Sequence, residues 1–217
     1  MIKAVIFDMD GLLIDSEPLW GRARDEVIAT VGIELTTQDI HNSLGRGIYN
    51  AVEYWYHQHP WQGRSREDVT AAIIDRFLDL VRQEGKLKPG VHHTIEICKQ
   101  AGLPLAIASS SPMEVIDTVV DKLNIRGFFK EIYSARSEPH SKPHPGVFIT
   151  TAELLGVEPR QCLVFEDAPS GVLAAKSARM HCVAVPEPEV KNNKFIQIAD
   201  IILDSLEEFN KQMFQQF

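Results

Sequence analysis

The amino-acid sequence predicts an α/β fold: a doubly wound parallel sheet, interrupted after its first strand by an all-helical segment. Three observations predict it. Ala4 to Phe7 is a purely apolar run, which suits a parallel strand buried on both faces. From Lys88 onward, short apolar runs alternate with helical patterns, as in consecutive βαβ units. Between them, 18–84 carries helical periodicity and no strand-like run.

The first strand ends in two carboxylates, Asp8 and Asp10, followed by Gly11. Asp15-Ser16-Glu17-Pro18 then has the chemistry of a helix start, and the pattern predicts a helix over 19–31 stopped by Gly32. A short helix is expected over 39–44, before Gly45-Arg46-Gly47, and another over 48–58. Ser65-Arg66-Glu67-Asp68 opens a long one, with Val69, Ile73, Phe77, Leu80 and Val81 on one face. Lys88-Pro89-Gly90 marks the return to alternation. Helices are expected over 91–100, 112–123, 146–155 and 170–178, with strands over 105–108, 131–134, 163–165 and 182–185. A last strand at 201–202 precedes one C-terminal helix from Ser205. The expected division is a core of 1–17 with 85–217, and a helical insert of 18–84.

Composition narrows the function. The 217 residues carry 22 Lys+Arg against 30 Asp+Glu, a net charge of −8, which argues against nucleic acid or an anionic membrane as partner. No apolar run approaches the ~18 residues that a membrane span needs. The N-terminus enters a strand without the basic region of a signal peptide. Cys98, Cys162 and Cys182 are odd in number and widely spaced, so they read as buried thiols rather than a disulfide framework or metal site. A cytoplasmic monomer is expected.

Four segments carry chemistry. In open α/β sheets ligands bind beyond the carboxyl ends of the strands, where Asp8 and Asp10 fall. Two carboxylates ~4 Å apart repel by about 4 kcal/mol at an effective dielectric of ~20. A hard divalent cation such as Mg2+ offsets that. Alone, the pair reads equally as a strand end capping its turn. The second segment is Ile107-Ala108-Ser109-Ser110-Ser111-Pro112-Met113-Glu114. Here Ser111 reads as an N-cap, with Pro112 at the first helical position and Glu114 completing a capping box. Helix N-termini also bind phosphate. The third is His140-Ser141-Lys142-Pro143-His144-Pro145, in which Lys142 alone would pass for a surface charge and the two histidines for loop residues. The fourth, Cys162-Leu163-Val164-Phe165-Glu166-Asp167-Ala168-Pro169-Ser170-Gly171, is a second apolar strand ending in two acids.

Asp8-Met9-Asp10-Gly11 resembles the nucleophile motif of the haloacid dehalogenase-like hydrolases, and the other three segments resemble that family's remaining motifs, in order. The resemblance covers essentially the whole chain and extends to the branch that inserts a helical cap after the first strand. It implies a Rossmann-like core with a substrate-selecting cap. It also implies phosphoryl transfer through an aspartyl-phosphate on Asp8, with Asp10 as general acid and base. Ser109 and Ser110 would bind the phosphate, and Lys142 would neutralise Asp8 and the phosphoryl oxygens. The expected metal ligands are the Asp8 side chain, the Asp10 carbonyl and Asp167, with Glu166 acting directly or through water. Mg2+ is the expected ion, and Mn2+ suits the same oxygens.

Asp10 with Glu166-Asp167 favours a metal-dependent phosphatase or phosphomutase within that superfamily. Transport ATPases have threonine at the position of Asp10, and haloacid dehalogenases need no metal. From the cap, Glu17 could accept sugar hydroxyls, with Trp20 beside it and Arg46 as a hydroxyl or anion ligand. Their structural alternatives are a helix N-terminal acid, a packed aromatic and a surface base. Asp15-Ser16-Glu17-Pro18-Leu19-Trp20, Tyr133-Ser134-Ala135 and Ser141-Lys142-Pro143-His144-Pro145 resemble bacterial phosphatases of hexitol phosphates and 2-deoxyglucose 6-phosphate. The expected substrate is a small phosphorylated sugar or sugar alcohol. The alternatives are a β-phosphoglucomutase, and a noncatalytic sugar-phosphate binder.

Overall fold

The computed structural model describes residues 1–43 and 47–217. The chain divides into two compact units, Met1–Asp15 with Lys86–Phe217, and Ser16–Gly85. In chain order the elements are β1 (Ala4–Phe7), α1 (Glu17–Ala29), α2 (Thr37–Ser43), α3 (Gly47–Gln58), α4 (Arg66–Glu84), α5 (Val91–Gln100) and β2 (Leu105–Ser109). Then come α6 (Met113–Lys122), β3 (Glu131–Ser134), α7 (Gly146–Leu155), β4 (Cys162–Glu166), α8 (Pro169–Ser177), β5 (His181–Ala184), β6 (Ile201–Ile202) and α9 (Lys211–Phe214).

Among the described residues the first unit holds a six-stranded sheet in the order β3-β2-β1-β4-β5-β6, with every pairing parallel. The apolar runs explain why β1, β2 and β4 take the centre: every residue of all three is buried. Successive side chains of a strand face opposite ways. Ala4, Ile6, Ala108 and Val164 accordingly pack with Phe148, Ala152, Val172 and Ala175 of α7 and α8. On the other face Phe7 stacks on Phe165 at 4.9 Å, and Phe165 meets Phe209 edge-on. The chain leaves β1 for β2 and β3 on one side, and returns beside β1 with β4 to run outward on the other. That reversal puts the switch point of the sheet, where such folds bind ligands, at the carboxyl ends of β1 and β4.

Among its described residues the second unit has four helices, α1 to α4, joined by loops, and no strand. Ser65 caps α4 in a reciprocal capping box with Asp68, as its sequence suggests. Val69, Ile73, Phe77 and Leu80 of α4 are fully buried, and Trp20 of α1 stacks on Phe77 at 3.7 Å. The buried indoles find partners: Trp55 donates to Ser43 Oγ and Trp61 to the Arg64 carbonyl.

Two sequence expectations change. First, α6 starts at Met113 with Pro112 as its N-cap residue, and no side chain caps it. Ser111 is therefore not the cap; its hydroxyl is spent elsewhere, as shown below. Second, the C-terminal segment is not one helix from Ser205. A short turn at Leu206–Glu208 precedes Phe209, which is fully buried, and Asn210 then caps a separate α9. Burial of Phe209 against Phe165, with its carbonyl accepting from His93 Nε2, holds the backbone out of helical register. Cys98, Cys162 and Cys182 are free and buried.

Candidate active site

The carboxylates at this end of the sheet follow strand ends, and the lysine comes from a loop. Asp8 follows β1, and its N–H donates to the Phe165 carbonyl of β4, which fixes where its side chain emerges. The next residues form a tight loop in which Leu13 N–H returns to the Met9 carbonyl. Ser109 closes β2, Glu166 closes β4, and Asp167 follows it. Lys142 comes from the loop between β3 and α7, next to a cis Lys142–Pro143 bond.

Lys142 is the hub. Its ammonium donates to Asp8 Oδ1 at 2.6 Å, Glu166 Oε1 at 2.7 Å and the Ala108 carbonyl at 3.1 Å, and it lies over the Phe148 ring at 4.6 Å. Three acceptors use all three of its protons. The side chains of Lys142, Asp8 and Glu166 are only 5%, 9% and 1% exposed, so this is a buried cluster and not a surface pair. Burial drives the Asp8 carboxyl up to about 7, aided by the Glu166 and Asp10 charges and opposed by Lys142. Burial works against the Lys142 ammonium, but the Asp8 and Glu166 charges overcome it and raise its pKa above the usual lysine value.

Asp8, Glu166 and Asp167 each offer a carboxylate oxygen, all within 4.8 Å of one another. This all-oxygen set suits a hard divalent cation. A cradle exists for it. At Gly11, with φ +74°, a Cβ would stand 2.3 Å from Asp167 Oδ2, so only glycine lets the Asp167 carboxylate approach. Glu166 is otherwise engaged: Oε1 takes Lys142 and Oε2 accepts from the Ala168 N–H. Gly171 makes room for it, because a Cβ there would fall 1.6 Å from Oε1.

The hydroxyls form a second network. Ser111 Oγ donates to Asp10 Oδ2 at 2.7 Å, and the Ser111 N–H donates to Ser109 Oγ at 3.1 Å. Ser134 Oγ in turn donates to the Ser111 carbonyl at 2.6 Å. Asp10 is thus aimed by a serine from the β2–α6 turn, 101 residues away in sequence.

Of the residues singled out from sequence, Asp8, Asp10, Ser109, Ser110, Lys142, Glu166 and Asp167 all belong to the sheet unit, at or just beyond the strand ends and on the Lys142 loop. Glu17 and Trp20 belong to the helical unit: Glu17 is exposed in the first turn of α1, and Trp20 is half-buried on Phe77. Arg46 lies outside the described residues. Sequence reasoning missed Ser111 as a partner of Asp10, and Gly11 and Gly171 as the clearances for Asp167 and Glu166. The glycines left a signal in their position, one directly after an acidic strand end and one at a helix start beyond another.

A buried lysine held by two strand-end carboxylates thus lies beside a group of acids that could hold a divalent cation. The haloacid dehalogenase-like hydrolase family model matches residues 2–179, and the chain belongs to that family. It is therefore an enzyme of this hydrolase group. It is 42% identical to hexitol phosphatase B of Escherichia coli (strain K12) over 208 residues, 95% of this chain and 94% of that protein. It is also similar in structure to CbbY from Rhodobacter sphaeroides, solved with phosphate (TM-score 0.87, 27% identity, 96% of each chain). The fold recurs in a β-phosphoglucomutase from Clostridium difficile (TM-score 0.85, 24% identity, 100% of this chain and 96% of that one).

Proposed function

We propose that the chain is a divalent-metal-dependent phosphatase of small sugar or sugar-alcohol phosphates, with Asp8 as nucleophile. The observation that carries this reading is the position of Asp8: a strand-end carboxylate tied to buried Lys142 and grouped with Glu166 and Asp167. Likeness to hexitol phosphatase B along nearly the whole chain supports the substrate class.

Asp8 attacks phosphorus in line and forms an aspartyl-phosphate. Asp10, held by Ser111, gives its proton to the leaving oxygen and then takes one from the attacking water. Ser109 and Ser110 hold the phosphoryl oxygens. Lys142 offsets negative charge on Asp8 and on the transferred group. Mg2+ or Mn2+ would be held by the Asp8 carboxylate, the Asp10 carbonyl and Asp167, with Glu166 reached through water. The ion would supply charge stabilisation for the phosphoryl group. General acid–base help is worth only ~10²–10⁴-fold, so most of the acceleration rests on this positioning and charge. The helical unit selects the leaving group, with Glu17, Trp20 and Arg46 as its candidate contacts.

The test is inorganic phosphate release from hexose, deoxyhexose, hexitol and pentose phosphates, with Mg2+, with chelator, and with Asp8→Asn. Metal-dependent release abolished by the substitution supports the reading and ranks the substrates. Conversion of β-glucose 1-phosphate to glucose 6-phosphate without free phosphate would replace it with the mutase reading.

A further inference from the structure

Lys142 must deliver a flexible four-carbon side chain to three acceptors from a loop that has no regular structure between Ser137 and Gly146. What fixes that loop is visible at its two ends. Glu138 Oε1 accepts from the Tyr133 hydroxyl of β3 at 2.9 Å and from Thr150 Oγ1 of α7 at 2.7 Å. Its other oxygen lies against the first residue of α7, where a Cβ on Gly146 would stand 2.4 Å from Glu138 Oε2. The carboxylate therefore pins the start of the loop to both the strand before it and the helix after it. It also sits at the N-terminal end of α7, which has no side-chain cap of its own and favours negative charge. Within the loop, the His144 N–H donates to the Ser141 carbonyl and the Gly146 N–H to His144 Nδ1, so its far end is tied to the same helix start.

We infer that Glu138 is a positioning residue for Lys142: its carboxylate closes the Tyr133–Glu138–Thr150 clamp that sets the register of the Lys142 loop on α7. Phe148, two residues before Thr150 on that helix, carries the Lys142 ammonium over its ring, so the same helix fixes both the loop and the charge it delivers. Glu138 does not touch the reacting groups; it acts through the loop. Burial, and then the bond to Glu138, push the Tyr133 phenol above its ordinary value, which keeps it a hydrogen-bond donor across the working pH range.

The kinetic arm of the test rests on the phosphatase reading, and the labelling arm does not. Reductive methylation of the intact protein, read by mass spectrometry, reports the accessibility of the Lys142 amine. In the native protein Lys142 resists labelling while exposed lysines react. In Glu138→Ala it labels at least about tenfold faster, and in Glu138→Gln, which keeps one acceptor oxygen for Tyr133 and Thr150, it stays protected. A misplacement of about 1 Å can cost ~10²-fold in rate, so Glu138→Ala is expected to lower kcat by about 10–100-fold with KM changed less than about threefold. Thr150→Val and Tyr133→Phe each remove one bond and give intermediate labelling, which covers the case in which Glu138→Ala does not fold. Unchanged Lys142 protection in Glu138→Ala, or in the two milder variants together, overturns the proposal. Faster labelling in an enzyme whose native form releases phosphate from no substrate sustains the clamp and removes the phosphatase reading instead.

Discussion

Replacing Lys142 by methionine keeps an unbranched, slightly shorter side chain and removes its charge. In the native protein the ammonium is 2.6 Å from Asp8 and 2.7 Å from Glu166, and at an effective dielectric of ~20 each attraction is about 6 kcal/mol. With the cation gone, Asp8 and Glu166 face each other within 4.8 Å, a repulsion of about 3 kcal/mol or more on the same scale. These energies are not realised in full, because the carboxylates take up protons once that costs less than staying ionised. The net loss expected for one partner of a buried ion pair is about 3–5 kcal/mol. For a chain of this size that lowers Tm by about 6–20 °C, at ~2–4 °C per kcal/mol. The measurement is a thermal melt in metal-free buffer at pH 8 and again near pH 5. Acid neutralises the stranded carboxylates, so the gap between native and variant narrows on acidification. A variant melting within about 2 °C of the native protein at pH 8, or a gap that widens in acid, would refute the buried-cluster argument.

Asp8→Asn tests the raised carboxyl. The folded value of about 7 lies above the ordinary 3.8, so the native fold keeps a proton that the unfolded chain releases. The stability this group contributes is fully present below pH ~4 and is lost as pH rises through about 7. Without metal, Asp8→Asn should therefore melt above the native protein at pH 8, with the difference shrinking towards pH 4. Metal should compete with that proton. The Tm increase given by Mg2+ is expected to fall as pH drops from 8 to 6, with apparent affinity losing up to about tenfold per unit below the Asp8 pKa. Chelation should abolish turnover reversibly. Gly11→Ala forces a side chain into left-handed backbone and into the Asp167 carboxylate, and isothermal titration should show metal affinity weakened by about 10–100-fold.

The sheet and the acids at its carboxyl end were legible because β1 and β4 announce themselves as apolar runs that stop abruptly at acids. Lys142 was legible only through its family resemblance. Nothing local distinguishes a lysine between prolines from a solvated one, and its burial depends on residues 24 and 134 positions away. Ser111 shows the limit of local rules. Its Ser-Pro-x-Glu setting matches a helix start, yet the hydroxyl bonds to Asp10, because long-range satisfaction of that acid outweighs a cap that Pro112 leaves dispensable. Glu138 carries no local signal for the same reason: both of its donors come from other elements. The C-terminal helix was overextended because helical propensity at 205–214 is indifferent to the tertiary pull on Phe209.

If the proposed function is right, Asp8 carries the phosphoryl group during turnover. Rapid quenching of the enzyme during turnover of a hexitol phosphate, followed by borohydride reduction and peptide mapping, tests it most directly. Acyl phosphates are reduced and free carboxylates are not, so Asp8 is expected to be recovered as homoserine, but not without substrate and not without metal. Turnover with Asp8 left unmodified, or with the label on another residue, would contradict it.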